Sequence, residues 1–484
     1  MTQHALPVPA TRLRAIAETP ELERRLALAL ELVRLGTGLV WEPATERDEA
    51  LAVVHGAPGW ARARAAEAGG PCLVVPAGGA VTPAAATAAM AVDEVAPELH
   101  VLGGDAPAVM AELVRPVSGQ MTSMQSQCHP LLPLAEPWVD RLTEALAARL
   151  AALAPAGSAL YRLRPVPGGA DWGVALSHDM DYVETTARYR ATRLYYLMYG
   201  LRGRSGRVVR HHLRALASPR PWLHAEAALA EEEAGARSEW FVFARHPGQR
   251  GAHAALFNPE YDLSDPGIRA LLRGLRDRGH VVSLHASPEA GADPVLMRAE
   301  RDLLAAAVGT DVTGVRHHMG RCVWPVAPDG WRRAGFAYDS SFIINDGQGY
   351  RLGTAGPVPV DGMLELSPSW MDTVAYNYES KEPEVLLAEL HALVDRVRGR
   401  GGVEGVVWHD IPMGRGYPGV AVYREFLRYA RDRGGHIGPC AEFVRHSRAL
   451  ADARVEDGRL VAAHHLGVPE RVGPPREDAS VGTG

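Results

Sequence analysis

The chain is poor in cysteine. It carries four in 484 residues (Cys72, Cys128, Cys322 and Cys440), and no two stand in a CxxC spacing. That argues against a disulfide framework and reads as reduced, structural thiols in a cytoplasmic protein. Long apolar runs are also missing, and none reaches the ~18–20 residues needed to span a bilayer. The N-terminus lacks the charged start, apolar core and small-residue cleavage site of a secretory leader. A soluble intracellular substrate is therefore expected. Nor is there a strong excess of one charge: 51 Lys and Arg stand against 57 Asp and Glu, a formal net of −6. No global polyanion-binding surface follows, and nucleic acid is not an expected partner. The local exception, Arg202-Gly203-Arg204-Ser205-Gly206-Arg207, reads either as a solvated loop or as a basic lid.

What is present divides near residue 165. Residues 1–165 read as an N-terminal α/β extension with no catalytic constellation. It has an amphipathic helix over 20–35, short apolar strands at 51–54 and 72–75, a polar loop at 118–129, and a second helix over 136–153. Cys128-His129 lies in that loop as an incidental pair. From 166 to 465, short apolar strands (173–177, 239–244, 280–285, 312–316, 336–338, 404–409) alternate with helices of period 3.6 (224–235, 266–278, 294–308, 327–334, 383–399, 419–433). That alternation predicts a parallel sheet covered by helices, closed or nearly closed into a (β/α) barrel. Active-site residues are then expected at the C-terminal ends of the strands. The Pro/Gly-rich segment 466–484 is expected to be disordered.

Polar chemistry recurs where these strands stop. The first ends in Ser177-His178-Asp179-Met180-Asp181, the third in Ser283-Leu284-His285, the fourth in Arg316-His317-His318, and the last in Trp408-His409-Asp410. Taken alone, the first pentapeptide also fits a solvated Asp-rich turn. Together the four ends fit a mononuclear hydrolytic metal site, with carboxylate oxygen and imidazole nitrogen as donors and separate groups to carry protons.

The same residues resemble the motifs of the polysaccharide deacetylases of the NodB-homology type, carbohydrate esterase family four. They resemble a branch whose motifs run Thr-His-Asp-Val-Asp, Gly-His-Glu-Ile-Gly-Leu-His and Gly-Val-Arg-Gln-His. Gly335-Phe336-Ala337-Tyr338-Asp339-Ser340-Ser341 matches a further Gly-Phe-x-Tyr-Asp-Ser-Ser. The resemblance spans about residues 171–445 and implies an irregular (β/α) barrel and a metal-dependent deacetylase. It makes Asp179 the general base, Arg316 its orienting partner, His409 the general acid, and Asp181 and His285 metal ligands, with zinc as the expected divalent ion. Asp372 matches loosely an aspartate that supports the acid histidine.

The family's second metal histidine, four residues after the first, is here Glu289. Glu289 and His318 therefore compete for the remaining metal position. His178, Asp372 and Trp408 are candidates for lining the substrate, with Trp370 as a further stacking surface. Core packing is the competing reading for each aromatic. His280, at the start of its strand, and His317, pointing away from its neighbour, read as structural. So does His211-His212, as surface. The alternative to a deacetylase is a metal-independent hydrolase of a cyclic amide or ureide on the same fold, or a non-catalytic carbohydrate-binding protein.

Overall fold

The computed structural model describes the chain except, chiefly, residues 121–134, most of 184–227, 251–257, 410–418 and 473–484, with a few shorter stretches. The arginine cluster at 202–207, His211-His212, Cys128-His129, Asp410 and part of the helix expected at 224–235 lie outside the described residues.

The N-terminal part is built around a mostly parallel sheet. Strand β1 (Arg12–Ala17) pairs with β2 (Leu51–Gly56), which pairs with β3 (Cys72–Pro76), and β3 with β4 (Leu99–Leu102), all in parallel. Helix α1 (Pro20–Thr37) starts where its sequence demands. Thr19 Oγ1 accepts from Leu22 N–H, Pro20 fills the first turn, and Gly38 at φ 70° ends it. Its apolar stripe, including Leu26, Leu30 and Val33, packs into one large core that continues under the second sheet. A fully buried leucine contributes roughly 1.5–3 kcal/mol, so this seam is a substantial tie. The termini add to it. Thr2–Ala5 pairs with Arg459–Ala462, and Leu160–Arg162 pairs with both Leu39–Val40 and Glu470–Val472. The tail expected to lack structure from 466 is thus ordered to residue 472. Glu470 there pairs with Arg164, and Val472 packs on the core.

The second sheet holds the candidate site. Its central strands are β5 (Trp172–Met180), β6 (Glu239–Phe243), β7 (Val281–Ala286), β8 (Gly314–His317) and β9 (Tyr338–Asp339), with β10 (Gly402–His409) beside β5. All these neighbours pair in parallel, in the order β9-β8-β7-β6-β5-β10. Val358–Val360 and Met363–Glu365 extend one edge and Trp370–Met371 the other, and no ladder joins those edges among the described residues. The expected irregular barrel is thus present as a curled half-barrel sheet, open between those edges among the described residues. Its concave interior is plugged from below by Phe241, Tyr338, Leu366 and Phe443.

The covering helices are set by short-range chemistry. Helix α2 (Pro266–Asp277) is capped by Asp265, whose carboxylate accepts from Gly267 and Ile268 N–H. Helix α3 (Pro294–Val308) is capped by Asp293 and stopped by Gly309 at φ 77°. Helices α4 (Ala327–Ala334), α5 (Pro383–Arg400) and α6 (Gly419–Asp432) follow the remaining apolar stripes. Among the described residues no helix is long and apolar enough to cross a membrane.

Candidate active site

Parallel register brings the strand ends together. Asp179 on β5 stands beside His409 on β10, and His285 on β7 stands beside Arg316 on β8. Successive side chains alternate faces of a strand, so Ser177 and Asp179 face the interior while His178 faces the covering helices. Asp179, His285, Arg316, His318 and His409 are all at most 8% exposed; the Asp181 side chain, at 14%, is the more open edge.

Asp179 has two differently used oxygens. Oδ1 accepts from Arg316 Nη1 at 2.6 Å. Oδ2 faces His285 Nε2 and His409 Nε2, each at 3.8 Å. Burial works to protonate Asp179, but Arg316, then His285 and His409, hold its carboxyl below the usual range. It is an ionised carboxylate with one oxygen anchored and the other turned to the reaction space. Arg316 is wholly buried, lies over the Phe241 ring at 4.0 Å, and donates to Ser177 and Ser340 as well.

Asp181, His285 and His318 form the one group of three candidate metal donors among the described residues, with donor atoms within 4.8 Å of one another. His285 Nδ1 is 3.1 Å from the Arg316 carbonyl. A carbonyl only accepts, so Nδ1 carries a hydrogen and Nε2 is the ring atom turned toward the cluster. It faces Asp181 Oδ1 at 3.4 Å, and His318 Nε2 lies 3.8 Å from the same oxygen. Oδ1 is buried and meets no donor in hydrogen-bond geometry. One carboxylate oxygen and two imidazole nitrogens this close together in a buried site share a cation, either a proton or a metal. Oxygen and imidazole donors at this spacing fit a divalent ion. Burial opposes ionisation of Asp181, but His285 and His318 overcome it and hold the carboxyl far below its usual range.

Glu289 stands apart from this cluster. Its Oε2 accepts from Asn258 Nδ2 at 2.9 Å, on a 3₁₀ turn beyond β7. Of the two residues competing for the third metal position, His318 is the one brought to Asp181 and His285.

His409 is held by Asp372 from two directions. Its Nδ1 is 2.7 Å from Asp372 Oδ1, and its backbone N–H donates to Oδ2 at 2.8 Å. Burial lowers its pKa, but the Asp372, Asp179 and Asp181 carboxylates outweigh that and push it up to about 10. An imidazolium with its Nε2–H turned to Asp179 Oδ2 is a proton donor in waiting. Ile343, Met371, Val374 and Val407 form a small buried apolar cluster, with Val407 two residues before His409 on the same face of its strand.

Two candidates for substrate contact lie elsewhere. His178 is stacked on Trp240 and bonds Glu232 Oε1 at 2.7 Å, in a buried network with Ser238, His280 and Tyr423. Trp408 is wholly buried against Trp370, Tyr423 and Phe426. For each, the mouth and the buried core were both open readings; both occupy outward, buried positions on strands whose interior neighbours, Asp179 and His409, are at the site. His317 likewise points outward, bridging Ser287 O and Trp331 Nε1. The buried partner Glu232 had no signal in the sequence, since it lies on a helix 54 residues from His178.

No family model matches this chain, and no curated protein does. Solved structures similar to it include a putative polysaccharide deacetylase from Mycobacterium smegmatis, at 19% identity and TM-score 0.38, covering 59% of this chain and 92% of that one. PuuE allantoinase is similar at 14% identity and TM-score 0.38, covering 59% and 93%. A family 4 carbohydrate esterase from Streptomyces lividans, solved with acetate, is similar at 13% identity and TM-score 0.29, covering 60% and 98%.

Proposed function

We propose that this chain is a metal-dependent amidohydrolase that removes an N-acyl group, acetyl by preference, from an amino sugar or another N-acylated small molecule. The observation that carries the reading is the apposition of His285 Nε2, His318 Nε2 and the buried Asp181 oxygen, beside an anchored carboxylate and a poised imidazolium. Asp181, His285 and His318 would hold the ion, which when bound supplies positive charge for a polarised carbonyl and lowers the pKa of water.

The chain's own groups supply the proton transfers. Asp179 Oδ2 takes the proton of an attacking water while Arg316 keeps Oδ1 fixed and the carboxylate ionised. His409 Nε2–H then protonates the departing amine, and Asp372 holds the ring in the required tautomer and stabilises its charge. The apolar cluster that includes Val407 suits a short acyl chain such as a methyl group. Two proton carriers of opposite protonation state, both within reach of one space, match hydrolysis of an amide better than binding alone.

The test is acetate release from a panel of N-acetylated sugars, measured with and without a chelator. The proposal expects release that chelation abolishes and zinc restores. Undiminished release after chelation would favour the metal-independent alternative; binding of sugars without release would favour a carbohydrate-binding protein.

A further inference from the structure

The Tyr338-Asp339-Ser340-Ser341 stretch was singled out by sequence, yet none of its side chains enters the chemistry above. Its two serines turn to different partners. Ser340 accepts from Arg316 twice: its carbonyl from Nε at 3.0 Å and its Oγ from Nη2 at 2.8 Å. The same Oγ donates to Leu366 O at 2.6 Å, which fixes the hydroxyl's direction. Ser177 grips the guanidinium from the other side at 3.1 Å and donates to Val406 O.

Ser341 serves the neighbouring turn. Its Oγ accepts the His317 backbone N–H at 2.9 Å and donates to Asp339 Oδ1 at 2.5 Å. Two residues further, the backbone takes two left-handed conformations in a row, Met319 at φ 59° and Gly320 at φ 63°. A methionine rarely adopts that region and does so at some cost. Asn345 Nδ2 holds the Met319 carbonyl at 2.8 Å. His318 is therefore clamped on both sides, and its ring reaches Asp181 from a constrained backbone.

We infer that Ser340 and Ser341 are positioning residues with separate duties: Ser340 holds the arginine of the base, and Ser341 holds the turn that presents His318. This rests on the functional reading above, and it goes beyond that reading in assigning the motif two separable roles.

The experiment measures zinc affinity by competition with a chromophoric chelator, and kcat and KM for acetate release from N-acetylglucosamine oligomers, on the full chain. Ser341→Ala is expected to weaken zinc binding about tenfold, the lower end for groups that orient a ligand, with a turnover deficit that excess zinc reverses. Ser340→Ala is expected to keep zinc affinity within about twofold while kcat falls about tenfold at unchanged KM, the pattern of a lost transition-state interaction. In an Arg316→Lys background, Ser340→Ala should add less than about twofold, because residues acting through one another are not additive. Should Ser341→Ala not fold, Asn345→Ala tests the same arm and is expected to weaken zinc. Equal loss of zinc affinity in both serine variants, or full additivity of Ser340→Ala with Arg316→Lys, overturns the division of labour while leaving the functional reading standing. Absence of zinc binding in the unmodified protein overturns the functional reading, and this inference with it.

Discussion

Arg316 and Asp179 form a buried ion pair whose removal from one side carries a calculable penalty. Arg316 is wholly buried and Asp179 is 2% exposed. The guanidinium satisfies Asp179 Oδ1, the Ser177 and Ser340 hydroxyls and the Ser340 carbonyl. Arg316→Met replaces the guanidinium that lies over Phe241 with an apolar chain and strands a carboxylate in the interior. Breaking a buried pair in this way costs roughly 3–5 kcal/mol, because the remaining charge is uncompensated. Asp179→Asn strands the guanidinium instead and is expected to cost a comparable amount. Combining the two substitutions removes both charges, so the double variant should be less destabilised than the sum of the singles by at least about 2 kcal/mol. Urea denaturation of the four proteins, followed by fluorescence, measures all three differences. If Arg316→Met costs less than about 1 kcal/mol, or if the singles add without coupling, Arg316 is not the counter-charge that keeps Asp179 ionised.

Further outcomes follow from other parts of the site. His318→Ala should weaken zinc binding by about 100-fold, whereas Glu289→Ala should change it less than about threefold, as measured by equilibrium dialysis; the reverse order would restore Glu289 as the third donor. Glu300, buried under the turn after His285 and bonded to Ser287 and Gln249, has its pKa raised from 4.5 to about 7, by burial first and by Glu289 last. A carboxyl whose folded value is raised contributes stability below its unfolded pKa and loses it as pH rises through the folded value. Between about pH 4.5 and 7.5 the native protein should therefore lose about 3 kcal/mol at this group. The stability difference between the native chain and Glu300→Gln should drift by that amount over the window, and a constant difference would refute it.

The elements that position the site were legible because their signals are local. Helix 294–308 announces itself through Asp293, Pro294 and Gly309, and helix 327–334 through its apolar stripe; both stand at the expected boundaries. The strands were legible as apolar runs ending in polar residues, and Asp179, Asp181, His285, Arg316 and His409 do converge. The parallel barrel sheet was legible from the alternation of strands and helices, and it stands as a curled half-barrel. Chemistry alone leaves His178 and Trp408 between pocket and core. Strand alternation, which placed His317 on the outward face, applies equally to the residue before Asp179 and the residue before His409. That alternation decides both for the outward face. Ser177 and Ser340, which hold Arg316, were quoted within motifs but had no role that spacing alone reveals. A serine's partner is fixed by geometry, and Ser177 and Arg316 are 139 residues apart.

The central claim is that Asp179 acts as a base beside a metal held by its neighbours. It is tested most directly by loading the protein and its Asp179→Asn variant with zinc, then measuring bound zinc and acetate release from N-acetylglucosamine oligomers on the same samples. The account predicts ~one zinc per chain in both proteins, as a single three-donor cluster requires, and turnover lower by about 10²–10⁴ in the variant. Turnover in Asp179→Asn equal to that of the native chain, with zinc bound, would contradict it.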